Sequence, residues 1–198
     1  MTTERNELAT DRVLFGRGAP STDASQPQRE LLLCRCAGLL LAVPLSAIYE
    51  VGRLPAAVTL VPGAPPALAG IVKWRAGVFP ALDLSLHLGA APPATPARTR
   101  TLVVVSLDES WVGCVVDEVI GTCRVPAAAV SVELPTPGAT GPLRVLGTLE
   151  LAPELLDEGS YVPAAVRERC RVPIADLVAT SRDVLASMPT RFPGSSVE

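Results

Sequence analysis

Apolar residues in this chain come in short runs broken by glycine, proline or small polar clusters, and that rhythm predicts strands. Residues 31–38 and 39–43 form the first two runs, and the Ala37-Gly38 step between them suits a tight hairpin turn. Residues 46–51 continue into an extended stretch through Leu54-Pro55 to Pro62. A proline-fixed connection, residues 63–70, leads into a second hairpin, 71–74 returning as 78–82. Leu82, Leu84, Leu86 and Leu88 alternate with other residues, but Gly89 stops the run. The expectation there is a strand to about Leu84 and then one helical turn.

After a Pro/Ala linker at 90–99 the pattern repeats. Residues 101–107 form an apolar strand, 108–110 a turn, 111–119 the returning strand, and 122–125 a further short strand before Pro126. Both blocks run strand, turn, strand and a Glu-Val ending, Glu50-Val51 in the first and Glu118-Val119 in the second. That echo predicts two similar β-lobes. Residues 134–142 read as loop, 143–151 as a strand, and Leu155-Leu156-Asp157 begins an apolar closing segment. The period then changes. Ile174, Leu177, Val178, Ser181, Leu185 and Met188 follow Pro173 at helical spacing and Pro189 ends the run. This predicts an amphipathic helix of about four turns near 174–188, its apolar stripe capping the strands in preference to docking elsewhere. At the other end, residues 1–28 are polar and finish in PSTDASQPQ, the composition of a disordered extension with some helical pattern at 4–15. Order is expected from Glu30.

Composition narrows the function. Apolar residues are 48% of the 198 and charged ones 19%, which excludes a solvated disordered chain. A net charge of −3 and 4% aromatics give no reason to expect nucleic acid or an anionic membrane surface as partner. The 20 prolines call for short elements and many turns. With no long apolar run and a polar N-terminus, a cytoplasmic protein without membrane insertion is expected. The five cysteines sit mostly inside apolar runs and read as reduced core thiols; Cys34-Arg35-Cys36 has no second Cys or His pair at zinc spacing. His87 is the one histidine, so any Ser-His or Cys-His chemistry must use it, and no nucleophile elbow or phosphate-cradling glycine loop occurs. Asp83, Asp117 and Glu50 are single charges in apolar surroundings rather than a carboxylate pair for acid–base work. No enzyme, cofactor or metal site is expected.

One residue stands out. Arg75 begins a turn inside the otherwise apolar run GIVKWRAGVFPALDL, residues 70–84. The order of features around it resembles the CheW-like domain, the adaptor module of bacterial chemosensory arrays. The residues that carry the likeness are Val43-Pro-Leu-x-x-Ile48-x-Glu50-Val51, Val61-Pro-x-x-Pro65, Gly70-Ile-Val-x-x-Arg75-x-x-Val78-x-Pro80-x-x-Asp83-Leu84 and Gly113-x-x-Val-Asp117-x-Val119. Pro135-x-Pro137, Gly147 and Leu155-Leu156-Asp157 fit the closing part, so the likeness spans residues 30–163. It departs at Lys73-Trp74-Arg75-Ala76, where the family has Asn-aliphatic-Arg-Gly, and Ala76 takes a positive φ less readily than glycine. It departs again at Ala152-Pro153-Glu154, where the family has a longer apolar run.

The resemblance implies two intertwined five-stranded β-barrels around a groove, with short connecting helices, and an extension from 164 carrying the C-terminal helix. It implies no catalysis. Instead the domain, residues 29–163, would join the regulatory domain of a CheA-type histidine kinase to the cytoplasmic tip of a methyl-accepting chemoreceptor, in membrane-associated arrays. Carried over by position, Arg75, Ile48, Gly70 and Val119 face the receptor, and Leu45, Glu50 and Val51 face the kinase. Arg75 has a second reading, an internal pair with Asp83 or Asp117 that pins the hairpin, and the two readings are compatible. Asp117 is expected to be structural, because an unpaired charge in an apolar strand is costly. Gly70 is expected to serve close packing first. Two rivals remain: a divergent competitor that binds only one partner, and a small enzyme using His87 or a thiol.

Overall fold

The computed structural model describes residues 27–75, 77–91, 100–132, 142–156, 160–163, 166 and 170–188. The pattern at 4–15, the turn residue Ala76, Pro135-x-Pro137 and Asp157 lie outside the described residues.

The chain opens with a hairpin, β1 (Gln28–Cys36) and β2 (Leu39–Pro44). Ala37 and Gly38 both take positive φ, 52° and 79°, as a two-residue hairpin turn requires. A 3-10 turn, Leu45–Ala47, then carries the chain into a second sheet for β3 (Ile48–Arg53), β4 (Val58–Thr59), β5 (Leu68–Trp74) and β6 (Gly77–Asp83). The short helix α1 (Leu84–His87) follows, so the strand of leucines ends one residue earlier than expected and the helical turn is present. The hairpin β7 (Thr101–Leu107) and β8 (Ser110–Val116) completes that sheet. The chain then returns to the first sheet with β9 (Glu118–Pro126), β10 (Val130–Ser131), β11 (Val145–Leu151) and β12 (Cys170–Ala175), and closes on α2 (Leu177–Ala186).

Strand order is β10-β11-β12-β2-β1-β9 in one sheet and, read in the same sense, β4-β5-β6-β8-β7-β3 in the other. The two orders correspond strand for strand. In each, the one parallel pairing falls at the same place, β12 with β2 and β6 with β8. Each lobe therefore lends strands to the other's sheet, which is the intertwining the family resemblance implies. The mainly β, two-lobed fold is as expected. Each sheet has six strands rather than five, because β4 and β10 add two-residue pairings at the edges, too short to leave a hydrophobic period.

The correspondence extends past the strands. Asp83 caps α1 after β6, accepting from the Ser85 and Leu86 amides, and Asp176 caps α2 after β12, accepting from the Ala179 amide. The C-terminal helix is thus placed as the counterpart of α1. This corrects the division of the chain at residue 163: β12 lies between β11 and β2, inside the sheet. It also corrects the helix start from 174 to Leu177. Pro173 and Ile174 sit opposite Thr148 and Gly147 in β12, where pairing and the burial of Val172 and Ile174 override the helical spacing. In the closing segment, Leu155 ends a 3-10 turn, Pro153–Leu155.

Three cores result. Leu32, Cys34, Leu41 and Val43 from one sheet meet Leu82, Val103, Val105 and Cys114 from the other, with Leu177 and Val184 of α2 covering them. Alternate residues of the same strands, such as Leu31, Leu33 and Ala42, fill a core inside the first sheet. Leu102, Val104 and Val115 fill its counterpart inside the second. Strands buried on both faces must be apolar at every position, which is why residues 31–34 and 102–105 read as continuous runs.

Candidate functional site

Glu50, in the strand β3, begins the site. A register shift between Ile48 and Glu50 in the pairing of β3 with β7 puts an extra residue, Tyr49, into the strand. Trp74, the last residue of β5, packs its ring over Gly52; a Cβ there would stand 2.4 Å from the indole. The indole N–H donates to Glu50 Oε2 at 3.0 Å. Arg75 follows in the turn to β6 at a φ of 53°. Its Nε donates to both Glu50 oxygens, at 3.0 and 2.9 Å, and its Nη2 also bonds Oε1. The arginine side chain is 60% exposed and the glutamate 20%. Hydrogen bonding to Glu50 and the charge of that carboxylate hold the guanidinium above its ordinary range. One face of this pair is thus fixed and the other, cationic, face meets solvent.

The expected pairing of Arg75 with Asp83 or Asp117 does not occur, because another arginine occupies both. Arg100, 5% exposed, donates from Nη2 to Asp83 Oδ1 at 2.9 Å, bonds Asp83 Oδ2 through Nη1, and stands 3.2 Å from Asp117. Asp117 Oδ2 accepts from the Ala37 amide at 2.8 Å and Oδ1 from Ser85 Oγ at 3.0 Å. One buried cation therefore ties the β6–α1 junction, the start of β7, the β8–β9 bend and the β1–β2 turn together. Asp117 is structural, as its apolar setting suggests.

Four of the remaining expected residues, Leu45, Ile48, Val51 and Val119, lie half-buried against the core between the two sheets. Gly70 is a packing glycine: its φ is 142°, and a Cβ would meet the Thr59 carbonyl oxygen at 2.4 Å. The structure thus joins Glu50 and Arg75, which the family resemblance assigns to different partner surfaces. It keeps Gly70 apart from them, in the edge pairing of β4 with β5. Gly52 is the signal that sequence reasoning missed, since only glycine leaves room for the indole that orients Glu50.

Catalytic alternatives lose their parts. His87 lines a pocket of about 670 Å³ with Leu86, Leu143, Arg144, Asp183 and Ser187, among others, but no cysteine. Ser187 Oγ donates to the Val184 carbonyl and Asp183 is engaged by Arg144. Burial holds the imidazole below its usual range. Cys36 is pushed up to about 12 and Cys114 and Cys123 to about 11 by burial, and Cys34 further still, so these thiols are poor nucleophiles near neutral pH. Among the described residues no group of three or more His, Cys, Asp or Glu could hold a metal, and no helix is long and apolar enough to cross a membrane.

Comparison with known proteins places the fold in a family. The family model of the CheW-like domain matches residues 30–150. A probable chemotaxis protein CheW from Rhizobium etli is 31% identical over 96 residues, 48% of this chain. The match covers 60% of that relative's length. The crystal structure of the scaffolding protein TtCheW from Thermoanaerobacter tengcongensis superposes with a TM-score of 0.61 at 16% identity, over 78% of this chain and 92% of that one, and shows the fold. The chain belongs to the CheW-like domain family.

Proposed function

We propose that this protein is an adaptor that joins the cytoplasmic tip of a chemoreceptor to the regulatory domain of a CheA-type histidine kinase. It would work in the cytoplasm, recruited to receptor arrays. The observation that carries the reading is the oriented Arg75–Glu50 pair: one oxygen of Glu50 accepts the Trp74 indole N–H, and the arginine presents unsatisfied guanidinium surface outward. An arginine held in one geometry by an internal carboxylate loses little entropy when it meets a partner, so it reads a charged surface at low cost. Family membership and the structural likeness support the same reading. Because Glu50 is bonded to Arg75, the proposed receptor-facing and kinase-facing groups, the first comprising Ile48, Arg75 and Val119 with Gly70 set apart and the second Leu45, Glu50 and Val51, would adjoin at this pair.

The test is binding of purified protein to a receptor cytoplasmic fragment and a kinase regulatory fragment from the same genome, each alone and then together. The adaptor binds both, and a ternary complex forms. Binding of only one fragment makes the protein a competitor, and binding of neither overturns the reading.

A further inference from the structure

The chain is poor in aromatic residues, with 2 Trp, 2 Tyr and 3 Phe, yet the fold gathers both tryptophans at the Arg75 turn. Trp74 lies on one side, bonded to Glu50. Trp111 packs against Gly77, the first residue of β6, where an added Cβ would stand 3.3 Å from its ring. Tyr49, the extra residue of β3 next to Glu50, stacks on Trp111 with ring centroids 4.9 Å apart and planes 23° from parallel. Phe79 supports Trp111 from below, edge-on at 6.4 Å. The stack is not covered: Tyr49 is 61% exposed and Trp111 39%, and Val78 beside Gly77 is exposed as well. Open aromatic surface next to a fixed charge is what a recognition site offers, large contact area at little loss of side-chain freedom.

Charge says what such a surface would take. Glu50 uses the Nε and Nη2 groups of Arg75, which leaves Nη1. The exposed partner of the pair is the cation, in a chain whose net charge is −3. We propose that Tyr49, Trp111 and Arg75 form a single docking surface for an acidic peptide segment that sets a carboxylate beside a large apolar side chain. The carboxylate takes Nη1 of Arg75 and the apolar side chain lies on the Tyr49–Trp111 stack. The surface rests on the adaptor reading only in that the segment would belong to one of the two proposed partners.

Two synthetic peptides of equal length test it, one alternating glutamate with leucine and phenylalanine, the other with every glutamate replaced by lysine. Each is titrated into the ¹⁵N-labelled full chain, whose two tryptophans give two indole N–H signals, assigned with Trp111→Phe. The acidic peptide moves the Trp111 signal saturably and the lysine peptide does not. Tyr49→Ala weakens that binding at least tenfold, Tyr49→Phe retains it, and Arg75→Gln weakens it and flattens its salt dependence. An unmoved Trp111 signal, equal shifts with both peptides, or unchanged affinity in a folded Tyr49→Ala overturns the proposal. The receptor and kinase fragments are run beside the peptides. If the acidic peptide binds and neither fragment does, the adaptor reading fails and the surface stands; if the fragments bind and the peptide does not, the reverse holds.

Discussion

Two arginine–carboxylate clusters divide the work of this fold, and they differ in where each leaves its guanidinium. Arg100 is 5% exposed and lies between two carboxylates that in turn hold backbone amides of a hairpin turn and a helix cap. Arg75 is 60% exposed and meets one carboxylate, itself bonded to an indole. Burial draws the Arg100 guanidinium down, and the hydrogen bond and charge of Asp83 more than restore it. Removing one member of such a cluster strands the others in a medium that solvates charge poorly. Removing Arg75 strands less, because Glu50 keeps the Trp74 indole bond and water reaches its exposed edge. The same pair of residue types thus serves as a clasp between lobes in one place and as a presented charge in the other.

The sharpest way to break the comparison is Arg100→Met. It leaves Asp83 and Asp117 without their cation and is expected to cost about 3–5 kcal/mol, read as a lower urea midpoint at unchanged slope. Arg75→Gln, measured alongside, lowers the midpoint far less. Gly52→Val comes next: its Cβ would collide with the Trp74 ring, costing about 1–3 kcal/mol. It disturbs the exposed pair from beneath, so partner binding falls while the Arg100 cluster is untouched. Asp117→Asn keeps an oxygen for the Ala37 amide but loses the charge facing Arg100, an expected loss of about 1–2 kcal/mol.

The smallest effect is a pH dependence that belongs to neither cluster. Burial lowers the folded pKa of His87 from 6.5. Below about pH 6.5 the unfolded chain therefore takes up a proton that the folded protein resists, and stability falls as pH falls. The contribution of His87 is complete above its unfolded pKa and cannot exceed about 1.4 kcal/mol per pH unit. Denaturation at pH 7 and pH 5 in the wild type and His87→Gln checks it, since the variant loses that part of the acid slope and keeps the part due to carboxylates.

Much of the fold was legible in the sequence because its signals are local. The Ala37-Gly38 turn, the doubly buried strand runs and the Glu-Val echo all need only neighbouring residues, and Glu50-Val51 and Glu118-Val119 do fall in β3 and β9, which hold equivalent places in the two sheets. What failed depends on distant partners. Nothing near Arg100 announces Asp83, 17 positions earlier, and Glu50 and Arg75 are 25 apart. Helical spacing from Ile174 was real but lost to strand pairing with β11. The likeness of α2 to α1 was hidden because one helix has 10 residues and the other 4. The site was legible only in part: Arg75 and Glu50 were singled out, whereas their bond, Gly52 beneath them and the Tyr49–Trp111 stack beside them exist only in three dimensions.

The most direct measurement compares Arg75→Glu with the charge-swapped Glu50→Arg/Arg75→Glu protein for affinity to the receptor cytoplasmic fragment. If Arg75 reads the partner, both proteins lose binding while remaining folded, because the swap restores the ion pair, though not the acceptor of the Trp74 indole N–H, and turns the wrong charge outward. Recovery of wild-type affinity in the swapped protein would contradict the account and leave the pair a purely structural one.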